Sequence, residues 1–375
     1  MTIQVFLPKF RIDECLHEVR ECLEKSWTGM GFKTQHFEEK WCEYTGLPYS
    51  HFINSNTVGL HLAFHLFKNQ YHWQAGDEVI TTPLTFISTN HAILYENLKP
   101  VFADVDGTGC LDPKSIEARI TEKTRAVIYV GLGGNTGHLE EVSKICKKNN
   151  LKLILDAAHM SGTRYKNKHV GHEADVSVFS FQAVKNLPTA DSGMICFREK
   201  AFDDQVRKLT WLGINKDTYS RTTQQGSYKW KYDVEMVGYK YHGNSIMAAL
   251  GLVGLRYLDQ DNQFRRALAR EYRKLLSTIP AIQFIQEVND CESAQHLFQI
   301  RVKNRDELLN HLQKNHIFPG VHYRDNTEYK LYEYGFNTCP QAQRISQEII
   351  SLPLHLHLTE EDVTHICNVI REFLK

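Results

Sequence analysis

The sequence predicts an α/β fold in which a mostly parallel central sheet flanked by helices is followed by a smaller C-terminal α+β unit. Three observations carry that expectation. Short β-branched runs alternate with helical stretches between residues 51 and 197, the pattern of strands joined by crossover helices. Residues 125–156 spell one complete strand-helix-strand unit around a glycine-rich turn. After residue 245 the order changes to long helices, a strand over 296–302 and a helix over 305–313, which marks a second unit.

Residues 1–20 hold a short apolar segment closed by Pro8 and then a polar helical run, read as an N-terminal arm suited to lie on a neighbouring surface. Phe37, Trp41 and Tyr44 are spaced to pack one helix face. Residues 51–53 form a strand that meets Ser55, Asn56 and Thr57, a capping sequence before a helix that is apolar on nearly every side. Free N–H groups and the positive end of the helix dipole converge there, so the junction serves either as an ordinary cap or as an anion site. A strand before Pro83 leads into a helix opening just past it, with Phe86 at the junction, either as core or facing a planar ring. Residues 100–105 read as a strand, and the segment from there to Lys123 contains a weak helix.

In the 125–156 unit, Gly131 and Gly133 form a G-x-G, and Asp156 follows the last glycine of the turn by about the twenty residues of a dinucleotide-binding acid. The third glycine of that pattern falls on Thr136. A nicotinamide-dependent oxidoreductase is therefore a rival reading, and Asp156 itself fits a ribose, a protonated pyridine nitrogen or a helix cap. His159 stands three residues on. Residues 176–180 alternate apolar and polar as a strand feeding a loop that carries Lys185 among Phe181, Val184 and Leu187. A lysine desolvated in this way loses its proton readily and can condense with an aldehyde; alone, it also reads as a surface loop residue. Residues 193–197 are a further strand, and 201–235 read as irregular, as a lid or oligomer contact. Two helices, 246–258 and 263–276, follow, and Thr359 caps the last helix with Asp362. The resulting division is 1–20, 21–245 and 246–375.

The chain has 375 residues, 42% of them hydrophobic, enough to bury two cores. Lys+Arg and Asp+Glu both number 44, with no basic block, which disfavours nucleic-acid binding. The 9 cysteines are scattered without a C-x-x-C pair, as expected of reduced thiols rather than a disulfide framework or a zinc site. No leader pattern or membrane-length apolar run is present, so the expected location is the cytoplasm, without membrane association.

Seven stretches in order resemble the DegT/DnrJ/EryC1/StrS family of nucleotide-sugar aminotransferases, of pyridoxal-phosphate fold type I. They are N-S-N-T-V-G-L-H-L-A-F (54–64), G-D-E-V-I-T-T-P-L-T-F-I-S-T (76–89), L-K-P-V-F-A-D-V-D (98–106), L-D-A-A-H (155–159), F-S-F-Q-A-V-K-N-L (179–187), G-Y-K-Y-H-G-N-S-I-M-A-A-L-G-L (238–252) and S-L-P-L-H (351–355). The resemblance implies pyridoxal 5'-phosphate, cycling through pyridoxamine 5'-phosphate, with Lys185 as its covalent anchor and proton carrier. It places Asp156 on the pyridine nitrogen, His159 beside the ring, Phe86 on the ring face, and Ser180, Asn56 and Thr57 at the phosphate. It also implies a homodimer in which Lys240 or His242 reaches the partner's site. Asn56 stands where the family has glycine, on the expectation that Asn tolerates left-handed angles; Asp191-Ser192-Gly193 and K-Y-H near 240 also depart from the common pattern. Lys185 disfavours the branch that carries histidine there and deoxygenates C3. The implied reaction moves an amino group from glutamate to a nucleotide-linked 4-keto-6-deoxy sugar, at C4 in preference to C3. His322, Tyr323 and Arg324 are candidates for substrate contact. A non-catalytic binding protein of the same fold is the third reading.

Overall fold

The strands expected between residues 49 and 197 join into one sheet in the computed structural model, which describes residues 2–216, 219 and 231–375. They are β1 (Tyr49–Ile53), β2 (Glu78–Thr81), β3 (Lys99–Phe102), β4 (Thr124–Val130), β5 (Lys152–Asp156), β6 (Val176–Ser180) and β7 (Gly193–Phe197), in the order β1-β7-β6-β5-β4-β2-β3. Neighbours from β6 to β3 run parallel, and β7 runs antiparallel to both β6 and β1. Both faces are covered. On β4, Val127 and Tyr129 enter one apolar cluster while Ala126 and Ile128 enter another. Such a sheet reads as continuous apolar runs, since alternation marks only which face a side chain joins. That corrects the alternating reading of β6, whose five residues are all buried, Ser177 included, with its Oγ donating to the Gly171 carbonyl.

Register places the ends of three strands side by side: Val130 opposite Asp156, Asp156 opposite Val178, and Ser180 opposite Gly193. The helix Asn56–Tyr71 starts above this edge because two glycines let it sit down. A Cβ on Gly59 would fall 2.5 Å from a Val178 methyl, and one on Gly193 would fall 2.9 Å from the Asn56 nitrogen. Ser55 caps the helix through its Oγ, which accepts from Val58 N–H at 3.3 Å. Asn56 lies within the helix and is not left-handed, so the expected exchange for a glycine angle is not used.

Towards the C-terminus, Gln283–Phe284, Phe298–Arg301 and Ile349–Leu352 form an antiparallel sheet covered by helices, with Tyr272, Ile300, Leu308, Ile350 and Ile366 in its core. The two helices expected over 246–258 and 263–276 are one helix, Ser245–Leu276. Two of the polar residues between them are buried and bonded: Asp261 holds Arg11 at 2.6 and 2.7 Å, and Asn262 donates to the Ser161 carbonyl at 2.9 Å. The first residues stay on their own chain, Ile3–Gln4 pairing with Ile317–Phe318. A helix, Lys200–Leu209, occupies the start of the stretch read as irregular; residues 217–218 and 220–230 of it lie outside the described residues. The helix expected just past Pro83 begins at Ile87. Thr359 and Asp362 form the expected capping box, and all nine cysteines are free thiols. Among the described residues, no helix is long and apolar enough to cross a membrane.

Candidate active site

A cavity of about 450 Å³ opens at the carboxyl edge of the sheet, where ligands collect in open α/β folds. Its floor is Asp156 at the end of β5, and Lys185 enters it from the turn after β6, which is closed by Lys185 N–H donating to the Gln182 carbonyl at 2.9 Å. At one end lie Ser55, Asn56, Thr57, Ser180 and Ser192, below the start of the Asn56–Tyr71 helix. First-turn N–H groups have no acceptor within their helix and carry the positive end of its dipole, so this end of the cavity suits a phosphate. Phe86, Ala158, His159 and Tyr323 line the rest. Phe86 is 58% exposed, and its ring lies 6.0 Å from that of Tyr323.

Asp156 is buried and held from two sides. Thr89 Oγ1 donates to Oδ2 at 2.8 Å, and Asn56 Nδ2 and the Ala158 N–H each donate to Oδ1 at 3.2 Å. Burial raises its pKa above the usual carboxylate value, and these donors and the charge of Lys185 oppose the rise. For Lys185 burial acts the other way, lowering the ammonium pKa to about 8 against the attraction of Asp156. His159 is pushed well below the ordinary imidazole value by burial and then by Lys185 and His322. Its Nδ1 accepts from Gly133 N–H at 3.2 Å, so in the neutral ring the proton sits on Nε2, 3.1 Å from the Tyr323 hydroxyl. A planar ring with a phosphate at one end and a basic nitrogen at the other fits these donors: a dipole end, a buried acid and a weakly basic amine.

Of the twelve residues singled out in the sequence, nine meet in the cavity and three do not. Lys185, Asp156, His159, Phe86, Ser180, Asn56, Thr57, His322 and Tyr323 line the cavity. Asn56 reaches it by its backbone, since its side chain is spent on Asp156 and the Val178 carbonyl. Arg324 turns away, pairing with Glu328 at 2.7 Å. Lys240 and His242 lie outside the cavity of their own chain, beside β1: Lys240 Nζ sits 3.2 Å over the Trp211 ring, and His242 bridges to Ile53. Sequence reasoning missed Thr89, Gln182, Phe6 and His296 as lining residues. Thr89 lay within a quoted motif, with a hydroxyl three residues past Phe86 as the available signal. His296 and Phe6 carried none, because they arrive from distant segments; the His296 ring lies 4.3 Å from that of His159 and 5.2 Å from that of Phe6.

The glycine turn after β4 does not cradle a dinucleotide. Gly133 and Gly134 have φ of 66° and 95°, and their surroundings are filled by this chain: a Cβ on Gly134 would fall 3.1 Å from the His159 carbonyl and 3.2 Å from the Gln295 nitrogen. The Gly133 carbonyl accepts from His296 N–H at 3.0 Å. The glycines serve close packing against residues 293–297, which overturns the nicotinamide reading.

A profile of the DegT/DnrJ/EryC1/StrS aminotransferase family matches residues 11–371. The chain belongs to that family. SpsC of Bacillus subtilis, a spore coat polysaccharide biosynthesis protein, is 32% identical, over 96% of this chain and 95% of its own. Among solved structures, PseC of Helicobacter pylori, an aminotransferase involved in the biosynthesis of pseudoaminic acid, superposes with a TM-score of 0.91 at 29% identity, covering 100% of this chain and 99% of PseC. The putative sugar aminotransferase Spr1654 of Streptococcus pneumoniae, in its pyridoxamine-phosphate form, gives 0.90 at 28% identity, over 98% of each chain; its pyridoxal-phosphate form is also similar. As a member of the DegT/DnrJ/EryC1/StrS family, the chain is a pyridoxal-phosphate-dependent aminotransferase with the fold of these enzymes.

Proposed function

We propose that this enzyme aminates a sugar, moving the amino group of glutamate to C4 of a nucleotide-linked 4-keto-6-deoxy sugar in amino-sugar and polysaccharide biosynthesis. The observation that carries the site assignment is the meeting, in one strand-edge cavity, of Lys185, buried Asp156 and the open start of the Asn56–Tyr71 helix. The names and similarity of SpsC, PseC and Spr1654 support a sugar as acceptor.

When bound, pyridoxal 5'-phosphate supplies an aldehyde for amine exchange and a ring that accepts the electron pair of a deprotonated carbon. Lys185 would hold it covalently through Nζ, and the same amine, when free, would take and return the proton of the substrate carbon; a pKa near 8 leaves part of it neutral at physiological pH. Asp156 would hold the ring nitrogen, with Thr89 and Asn56 fixing both its oxygens. Phe86 would hold the ring, and Asn56, Thr57 and Ser180 would hold the phosphate. His322 and Tyr323 face the acceptor sugar, while Arg324, paired outside, does not. The working unit is a cytoplasmic homodimer in which Lys240 or His242 completes the partner's phosphate site. The same reading divides the chain into an arm (1–20), a cofactor-binding unit (21–245) and a smaller unit (246–375).

Incubating the purified enzyme with glutamate and a panel of nucleotide-linked keto sugars, with mass spectrometry and NMR of the products, tests this reading. A C4 amino sugar is expected. A C3 amino sugar would relocate the chemistry within the family, and no aminated sugar from any donor would overturn the proposal.

A further inference from the structure

Away from the cavity, His61 and His65 stand one turn apart on the Asn56–Tyr71 helix and both meet Glu96, which caps the C-terminus of the helix Ile87–Tyr95. His61 Nε2 lies 2.9 Å and His65 Nδ1 3.0 Å from the same oxygen, Glu96 Oε1, and all three atoms fall within 4.8 Å of one another. His61 and Glu96 are buried and His65 is partly so. We propose that His61, His65 and Glu96 form a binding site for a divalent transition-metal ion of the zinc class, independent of the aminotransferase chemistry.

The donor set is two imidazoles and one carboxylate, a combination that holds zinc with further positions left to water. Ligand bonds of about 2.0 to 2.1 Å put tetrahedral donors about 3.3 Å apart, so seating an ion requires each nitrogen to withdraw from Oε1 by a few tenths of an ångström and the two nitrogens, which lie within 4.8 Å of one another, to adjust to the same spacing. The second carboxylate oxygen is not needed by the metal: Lys68 Nζ lies 3.9 Å from Oε2, while donating to the Glu96 carbonyl at 2.6 Å. Asn69 completes the arrangement. Its side-chain amide lies 3.0 Å from His65 Nε2, so when Nδ1 binds metal and the ring proton moves to Nε2, the Asn69 oxygen can accept it. The rings of Tyr95 and Tyr239, with centroids 5.5 and 5.1 Å from that of His61, cover the cluster.

The placement gives such an ion a structural consequence. One helix begins at the proposed phosphate end of the cavity, and the other carries Phe86 at its start and Thr89, which holds Asp156. A metal between the middle of the first helix and the C-terminus of the second would tie the two together without touching substrate.

The test uses the full, untagged chain loaded with pyridoxal 5'-phosphate and freed of metal. Crystals grown with zinc are expected to show an anomalous peak between His61 Nε2, His65 Nδ1 and Glu96 Oε1. Cobalt titration is expected to give one equivalent per chain with visible four- or five-coordinate bands, at least about tenfold weaker in His65→Ala and unchanged in His36→Ala. Anomalous density only elsewhere, or cobalt affinity unaltered in His65→Ala, would overturn the assignment, and the zinc map decides it should that variant fail to fold.

Discussion

Thr89 Oγ1 donates a hydrogen bond of 2.8 Å to Oδ2 of Asp156, tying the helix that follows Phe86 to the acid at the end of β5. A hydrogen bond to a charged group contributes about 1.5 to 3 kcal/mol, and removing its donor leaves a buried carboxylate short of one partner. Thr89→Val keeps the shape and deletes the donor. It is expected to lower the stability of the cofactor-free protein by about 2 kcal/mol in urea unfolding and to weaken cofactor binding. Thr89→Ser should recover most of both.

Lys185 couples chemistry to pH. Its pKa is about 8 in the folded protein and 10.5 when solvated, so between those values the unfolded chain binds more protons, and stability rises with pH across that window. Below pH 8 the full cost of burying the ammonium is present. Lys185→Met, freed of the cofactor, is therefore expected to be more stable than the parent at pH 7, by up to about 3 kcal/mol, with the gain vanishing above pH 10.5. The rate at which pyridoxal phosphate attaches to the parent should rise with pH and level off above about pH 8; an attachment rate flat from pH 6 to 10 would contradict a buried nucleophile. The variant should show no borohydride-fixable adduct at all.

Phe86 separates binding from folding. With 58% of its surface exposed, its truncation should change stability by less than about 0.5 kcal/mol, as for most surface positions. Its ring stands at the cavity mouth, where an aromatic contact contributes about 1 kcal/mol beyond area, so Phe86→Ala is expected to raise the cofactor dissociation constant several-fold, read by fluorescence titration. A fall in stability with unchanged cofactor affinity would make Phe86 a core residue.

The residues that a strand end presents were legible in the sequence, because period and burial follow from short-range pattern. Asp156, Ser180 and Lys185 were placed by the runs that precede them, and Ser55 by its capping chemistry. What the pattern hid was set by contacts distant in sequence. The Asn56 amide lies on Asp156, 100 residues away, which leaves its backbone for the cavity, and His296 reaches His159 only through the packing of residues 293–297 against the glycine turn. The break expected near residue 260 failed for the same reason: Asp261 and Asn262 look like a helix boundary, yet each is bonded to a remote segment and stays helical. Arg324 looked like its neighbours until Glu328, one turn on, turned it outward.

Tyr323 and Arg324, adjacent in sequence, should behave in opposite ways. The Tyr323 hydroxyl is the only described side-chain oxygen given to His159 Nε2, whose proton is fixed there by the Gly133 N–H on Nδ1. Without it, that N–H faces the cavity unsatisfied, at a cost of about 1 to 3 kcal/mol, unless water enters. Tyr323→Phe is therefore expected to lower kcat/KM with the keto sugar by about tenfold while leaving the apolar packing of the ring intact. Arg324→Ala removes a half-exposed ion pair, which contributes at most about 1 kcal/mol, and should leave kcat and KM within about twofold of the parent. Steady-state kinetics of both variants on the best acceptor decides between them: a large rise in KM for Arg324→Ala with little change in Tyr323→Phe would mean that the loop turns over in the working enzyme, bringing the guanidinium to the substrate.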